Sequence, residues 1–198
     1  NDRILTADVL LQITSDLTIE SGTVSLNAFA APYTVTIKPD GAPRLVSYGG
    51  ANSLIVLNGA DRVIIDGSLS NTANTLCPLV QASRDLTFKN TAASASVINL
   101  RSQPTNPATN NVIKNCNIEG NATSTTIFGI ASTDQTVTIS SLGKDNDNNS
   151  FVNNSISKVQ YGIYSQGESR SNKNQGTVIQ LNNIDLTSTA NTAVAGLY

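Results

Sequence analysis

The chain contains no histidine, no methionine and no tryptophan, and only two of its 198 residues are cysteine. Without histidine the usual general base at neutral pH is missing. Cys77 and Cys116 are too few for a disulfide framework, and their spacing fits no metal-ligand motif. They are left as two buried thiols or as one mutual disulfide. Charge is sparse too. Charged residues make up 13% of the chain, well under the usual quarter, and the formal net charge is −2. Acids and bases are scattered, so no electrostatic footprint for nucleic acid or an anionic membrane is present. No apolar run approaches the length of a membrane span, and no signal peptide is visible. The chain starts at Asn1-Asp2 without an initiating methionine, which is read as a mature product or a piece of something longer.

Asparagine, threonine and serine are abundant instead, at about a third of all residues. The 39% that is hydrophobic is enough for a core and comes in short, β-branched runs, which excludes a charge-rich disordered segment. Typical runs are Ser53-Leu54-Ile55-Val56-Leu57, Val63-Ile64-Ile65, Leu86-Thr87-Phe88, Val97-Ile98-Asn99-Leu100 and Val178-Ile179-Gln180-Leu181. Between them lie Asn, Gly, Asp and Ser, the residues that accept turn and left-handed geometry. No amphipathic helical pattern is found. Short strands at close spacing predict a sandwich or a solenoid.

Internal repetition favours the solenoid. Ile65, Phe88, Ile113, Phe151 and Ile179 are read as one recurring apolar position, with Gly67, Asn90, Asn115 and Asn153 two residues further on. A second apolar residue, Ile118, Ile156 or Ile184, follows five positions after the first in the last three repeats. The period is in the low-to-mid twenties, with an excursion over about 133–149. In such a stack equivalent residues lie about 4.8 Å apart and touch. The stretch Ala60–Ser68 and the stretch Ser83–Thr91 keep the same apolar spacing with charges of inverted sign. This predicts Asp61 over Arg84, Arg62 over Asp85 and Asp66 over Lys89, since opposite charges on neighbouring strands are favourable. Asn90, Asn115 and Asn153 are expected to form a structural ladder, each amide donating to the next.

The runs at 32–39, 54–68, 85–91, 110–120 and 146–167 resemble the right-handed parallel β-helix segments of very large secreted bacterial surface proteins, in the pectin-lyase-like group of folds. The resemblance covers roughly 32–188. It implies an all-β, right-handed parallel β-helix and an extracellular or cell-surface setting. It also implies a structural or adhesive stalk, although some relatives of this fold cleave acidic polysaccharides.

An enzymatic reading needs converging carboxylates, with a free base for a lyase. The acids Asp61, Asp66, Asp85 and Glu119 are mostly single, and Arg62, Arg84 and Lys89 already have expected ion-pair partners. No catalytic residue is assigned. The best metal candidate is Asp145, Asp147 and Asn149, which alternate as calcium ligands do. That pattern lacks the turn glycine and the closing acid, so the competing reading is a solvated turn, and no cofactor beyond a possible structural calcium is expected. Tyr164, Tyr161 and Tyr48 are the candidates for stacking on surface glycans. With Ile163 inward, alternation turns Tyr164 outward.

Both ends read as uncapped, so the expected partners are the rest of a larger parent protein or neighbouring copies stacked end to end, with no nucleic acid and no membrane insertion. The whole is expected to be one domain over 1–198 with about eight coils, roughly 35 Å long.

Overall fold

The computed structural model describes residues 5–69, 82–185 and 195–197. Among these residues every regular element is a strand. The first pass of the chain holds β1 (Val9–Ile13) and β2 (Leu26–Asn27), with Leu17 bridging to Val46 between them. The next contains β3 (Val35–Pro39), β4 (Arg44–Tyr48) and β5 (Ile55–Asn58); then come β6 (Val63–Asp66), β7 (Leu86–Asn90) and β8 (Ser96–Arg101). These are followed by β9 (Val112–Lys114), β10 (Cys116–Glu119) and β11 (Phe128–Thr133), then β12 (Ser150–Val152), β13 (Ser155–Ser157) and β14 (Tyr161–Ser165). The last described pass holds β15 (Val178–Gln180), β16 (Asn183–Ile184) and β17 (Ala195–Leu197).

Each pass adds one strand to each of three sheets, except that the first contributes only a bridge to the second sheet. The first sheet is ordered β1-β3-β6-β9-β12-β15, the second β4-β7-β10-β13-β16 and the third β2-β5-β8-β11-β14-β17. Every pairing within them is parallel. The architecture is all-β, with three parallel sheets, and is consistent with a parallel β-solenoid. The described strands make six passes, fewer than the eight windings expected. Three strands and three corners consume 28 residues where no insertion intervenes, as from Ile37 to Ile65 and from Phe151 to Ile179.

Apolar columns fill the interior. Ile65, Ile113, Phe151 and Ile179 lie in register in the first sheet, and Val46, Phe88, Ile118, Ile156 and Ile184 in the second. Phe88 is therefore in a different column from Ile65, because β6 and β7 are two sides of one winding. The offset between their segments measures a corner, not a full winding. Both residues are nonetheless buried, with Phe88, Phe151, Ile65 and Ile113 at 1% exposure or less. Each buried side chain of this size contributes about 2 kcal/mol.

Two glycines are needed for close approach. A Cβ on Gly67 would lie 2.0 Å from the Asn115 carbonyl oxygen of the next winding, and one on Gly129 would lie 2.5 Å from Ile156 Cγ2. At the ends, Leu10, Leu11, Ile19 and Val24 of the first winding and Val178 and Leu181 of the last remain exposed. Cys116 is buried with a free thiol; burial, followed by the charge of Asp66, pushes its pKa up. Cys77 lies outside the described residues.

Candidate functional site

Four corners carry one repeated two-residue device. The first residue has a left-handed backbone, and the second is an asparagine whose amide reaches back to the preceding winding. The left-handed residues are Asn110, Asn148, Asn153 and Leu181, with φ of 56°, 56°, 52° and 56°. Asn tolerates this region better than most residues, which explains three of the four. The clamping residues are Asn111, Asn149, Asn154 and Asn182. Asn111 accepts from Val63 N at 3.0 Å and donates to Ala60 O at 2.9 Å. Asn149 does the same with Asn111 N and Ala108 O, both at 2.9 Å. Asn154 spans Cys116 N (3.1 Å) and Ile113 O (2.9 Å), and Asn182 spans Asn154 N (2.9 Å) and Phe151 O (2.7 Å). Each amide thus satisfies one backbone donor and the acceptor three residues before it, where the corner leaves them unpaired.

The expected ladder joins Asn115 and Asn153, but Asn90 stands apart from it. Asn153 Nδ2 donates to Asn115 Oδ1 at 2.8 Å, and Asn115 Nδ2 donates to Asp66 Oδ1 at 2.8 Å. Asn90 lies at the corner between the second and third sheets, donating to Ser96 O (2.8 Å) and Asn52 O (3.0 Å) and accepting from Ala92 N. It braces its own turn, because the step from Asn90 to Asn115 crosses from one corner to another.

Opposite charges do stack between windings, with partners other than those expected. Asp66 lies between Lys114 at 3.3 Å and Lys38 at 3.8 Å on the first sheet. Glu119 lies between Lys158 at 2.7 Å and Lys89 at 3.0 Å on the second. Asp61 instead accepts from Thr109 N and Oγ1 and sits 3.8 Å from its neighbour Arg62. Arg84 donates to the backbone and side-chain oxygens of Asn153, while Asp85 accepts from Leu69 N and Ser83 Oγ. Burial raises the affinity of Asp66 and Glu119 for protons. For Asp66, hydrogen bonds from Asn115 and Ser68 and the Lys114 charge outweigh burial and hold the carboxyl below its ordinary value. Contacts from Lys158 and Lys89 do so for Glu119.

The tyrosines expected to face glycans are engaged elsewhere. Tyr164 does leave the main core, but it is fully buried. The segment at 134–142 folds over it, and its hydroxyl donates to Ser141 O at 2.8 Å or Ile139 O at 3.0 Å. Its ring stacks on Phe128 at 4.6 Å in a second apolar cluster that Tyr161 also flanks. Alternation assigned the face correctly; the covering segment could not be read from it. Tyr48 packs on the main core, and its hydroxyl accepts from Ala51 N.

Asp145, Asp147 and Asn149 do not converge as ligands. Asn149 is committed to its clamp, and Asp147 Oδ1 accepts from Gln175 N at 2.6 Å. Among the described residues no group of three or more His, Cys, Asp or Glu side chains is placed to hold a metal.

The outer face of the third sheet carries a groove of about 520 Å³ whose lining contains no acidic residue. Val56 and Asn99, adjacent in register, form its floor together with Arg101. Gln135 and Val137 wall one end, and Gly22 and Thr23 the other. Sequence reasoning missed this groove, since Asn99 lies inside a run read only as core strand.

Comparison of the chain with protein-family models, curated proteins and solved structures finds no match in any of the three.

Proposed function

We propose that the chain is a right-handed parallel β-helix of the pectin-lyase-like kind. Its role is that of a non-catalytic, extracellular structural or adhesive stalk of a bacterial surface or secreted protein. The observation that carries this reading is the bracing of successive windings: amides clamp backbone to backbone at four corners, and Asp66 and Glu119 each lie between two lysines. Such a stack is stiff along its axis, and the acids of its charge columns, Asp66 and Glu119, are each held between lysines rather than left to perform acid–base chemistry. Right-handedness is supported by the strong preference of parallel crossovers for that hand.

The exposed apolar side chains of the end windings, with Ile19 at 94% and Val24 at 86%, support a further winding of a parent protein or a neighbouring copy stacked there. Small-angle scattering at rising concentration tests the stalk. Particles should lengthen at constant cross-section; a monomer of unchanged length at the highest soluble concentration, or growth in cross-section, would count against end-to-end stacking. Release of new reducing ends or unsaturated sugars from acidic polysaccharides would overturn the non-catalytic reading.

A further inference from the structure

The groove on the third sheet presents hydrogen-bond donors without acceptors. Arg101 is held by a column of asparagines: its Nε donates to Asn58 Oδ1 at 2.8 Å, and Asn58 Nδ2 donates to Asn27 Oδ1 at 2.7 Å. Asn27, Asn58 and Arg101 occupy equivalent positions on β2, β5 and β8, so the guanidinium is fixed by register. Its two terminal nitrogens have no hydrogen bond, and no carboxylate among the described residues lies within ion-pair distance.

Beside it, Asn99 is only 2% exposed, and its Oδ1 accepts from Thr133 Oγ1 at 2.9 Å. Thr133 Oγ1 also lies 3.1 Å from Asp134 O; with its single proton given to Asn99, the amide is held with Nδ2 unpartnered. No fully buried side-chain nitrogen or oxygen lacks a partner among the described residues, so Nδ2 opens onto the groove. A nearly buried amide donor and a partly buried guanidinium, fixed through Nε and with its terminal nitrogens unpaired, form an incomplete polar site.

We propose that this groove binds a small carboxylate ligand. The carboxylate would accept from the Arg101 fork and from Asn99 Nδ2, the planar two-donor geometry for which guanidinium is suited. The volume matches a ligand of one or two sugar rings, and Val56 and Val137 offer apolar surface to the C–H face of such a molecule. Thr23 and Gln135 line the groove as well. No acid or histidine lines it, so the ligand is held, not cleaved. The proposal does not rest on the stalk reading, and an ineffective stalk would leave it standing.

Chemical-shift titration of the isotope-labelled protein with glucuronate, glucose and propionate tests it. Glucuronate should shift the side-chain signals of Asn99 and Arg101 Nε, saturating in the millimolar range, with glucose at least about tenfold weaker. Propionate separates the sources: binding as tight as glucuronate supports a general carboxylate site, and weaker binding supports a sugar acid. Arg101→Gln should weaken glucuronate about tenfold or more, Arg101→Lys less, and Asn99→Asp should repel it. Shifts confined to other surfaces, equal affinity for glucose and glucuronate, or unchanged affinity in a folded Arg101→Gln variant would each overturn the proposal. Because the wild-type shifts are read directly, a variant that fails to fold still leaves the question decided.

Discussion

Asn154 accepts the backbone N–H of Cys116 through its Oδ1 at 3.1 Å, although the two residues belong to successive windings. With its other end on Ile113 O, the side chain replaces the two hydrogen bonds that the backbone cannot make at a corner. Both the amide and Cys116 are fully buried, so water cannot substitute. Asn154→Ala should therefore leave a donor and an acceptor unsatisfied and cost about 2–4 kcal/mol. Asn154→Asp should restore only the acceptor and place a carboxylate oxygen against the Ile113 carbonyl, so it should be no better than alanine. Urea unfolding with a fixed m-value measures both. A loss below about 0.5 kcal/mol for the alanine variant would show that the corner is satisfied in another way.

The two lysine–acid–lysine columns make stability depend on pH with a definite sign. Asp66 and Glu119 both have folded pKa values below their ordinary ones. A depressed carboxylate contributes stability that is present above its unfolded pKa and lost as pH falls through its folded one. Melting temperature should be steady from neutrality to about pH 5 and fall below about pH 4. Asp66→Asn should flatten part of that fall. An acid limb unchanged by both Asp66→Asn and Glu119→Gln would place the dependence on other groups. Added salt should matter little for the Lys38–Asp66 pair, whose side chains are 14% and 13% exposed, and more for the Lys89–Glu119 pair, at 39% and 24%.

Much of this arrangement is legible in the amino acids because a stack repeats its requirements. The column Ile65–Ile113–Phe151–Ile179 and the contact of Asn115 with Asn153 follow from spacing alone. Phe88 was misassigned for a physical reason: two strands of one winding bury the same side of their pleats, so a corner imitates a period. Three of the clamps had a visible signature in the doublets Asn110-Asn111, Asn148-Asn149 and Asn153-Asn154, yet of these residues only Asn153, as a ladder member, and Asn149, as a calcium ligand, were expected to matter. Tyr164 and Asn99 were hidden more deeply. Periodicity gives the face of a strand, but where a loop lies across that face depends on contacts far apart in the chain.

Leu181 stands where the other three clamped corners place an asparagine, and this gives a stabilising substitution. It occupies the left-handed position that Asn115 and Asn153 hold in the same column, with φ of 56° against 58° and 52°. A Cβ-bearing residue pays roughly 1–2 kcal/mol there, and asparagine pays less because its side chain finds local partners. The leucine gains little in return, since it is 56% exposed. Leu181→Asn should raise stability by about 1 kcal/mol, seen as a higher urea midpoint at unchanged slope. Leu181→Ala is the control, as it removes the apolar side chain but keeps the backbone penalty, and should leave the midpoint nearly unchanged. If alanine stabilised as much as asparagine, the gain would come from removing an exposed hydrocarbon, and backbone strain at this corner would carry none of it.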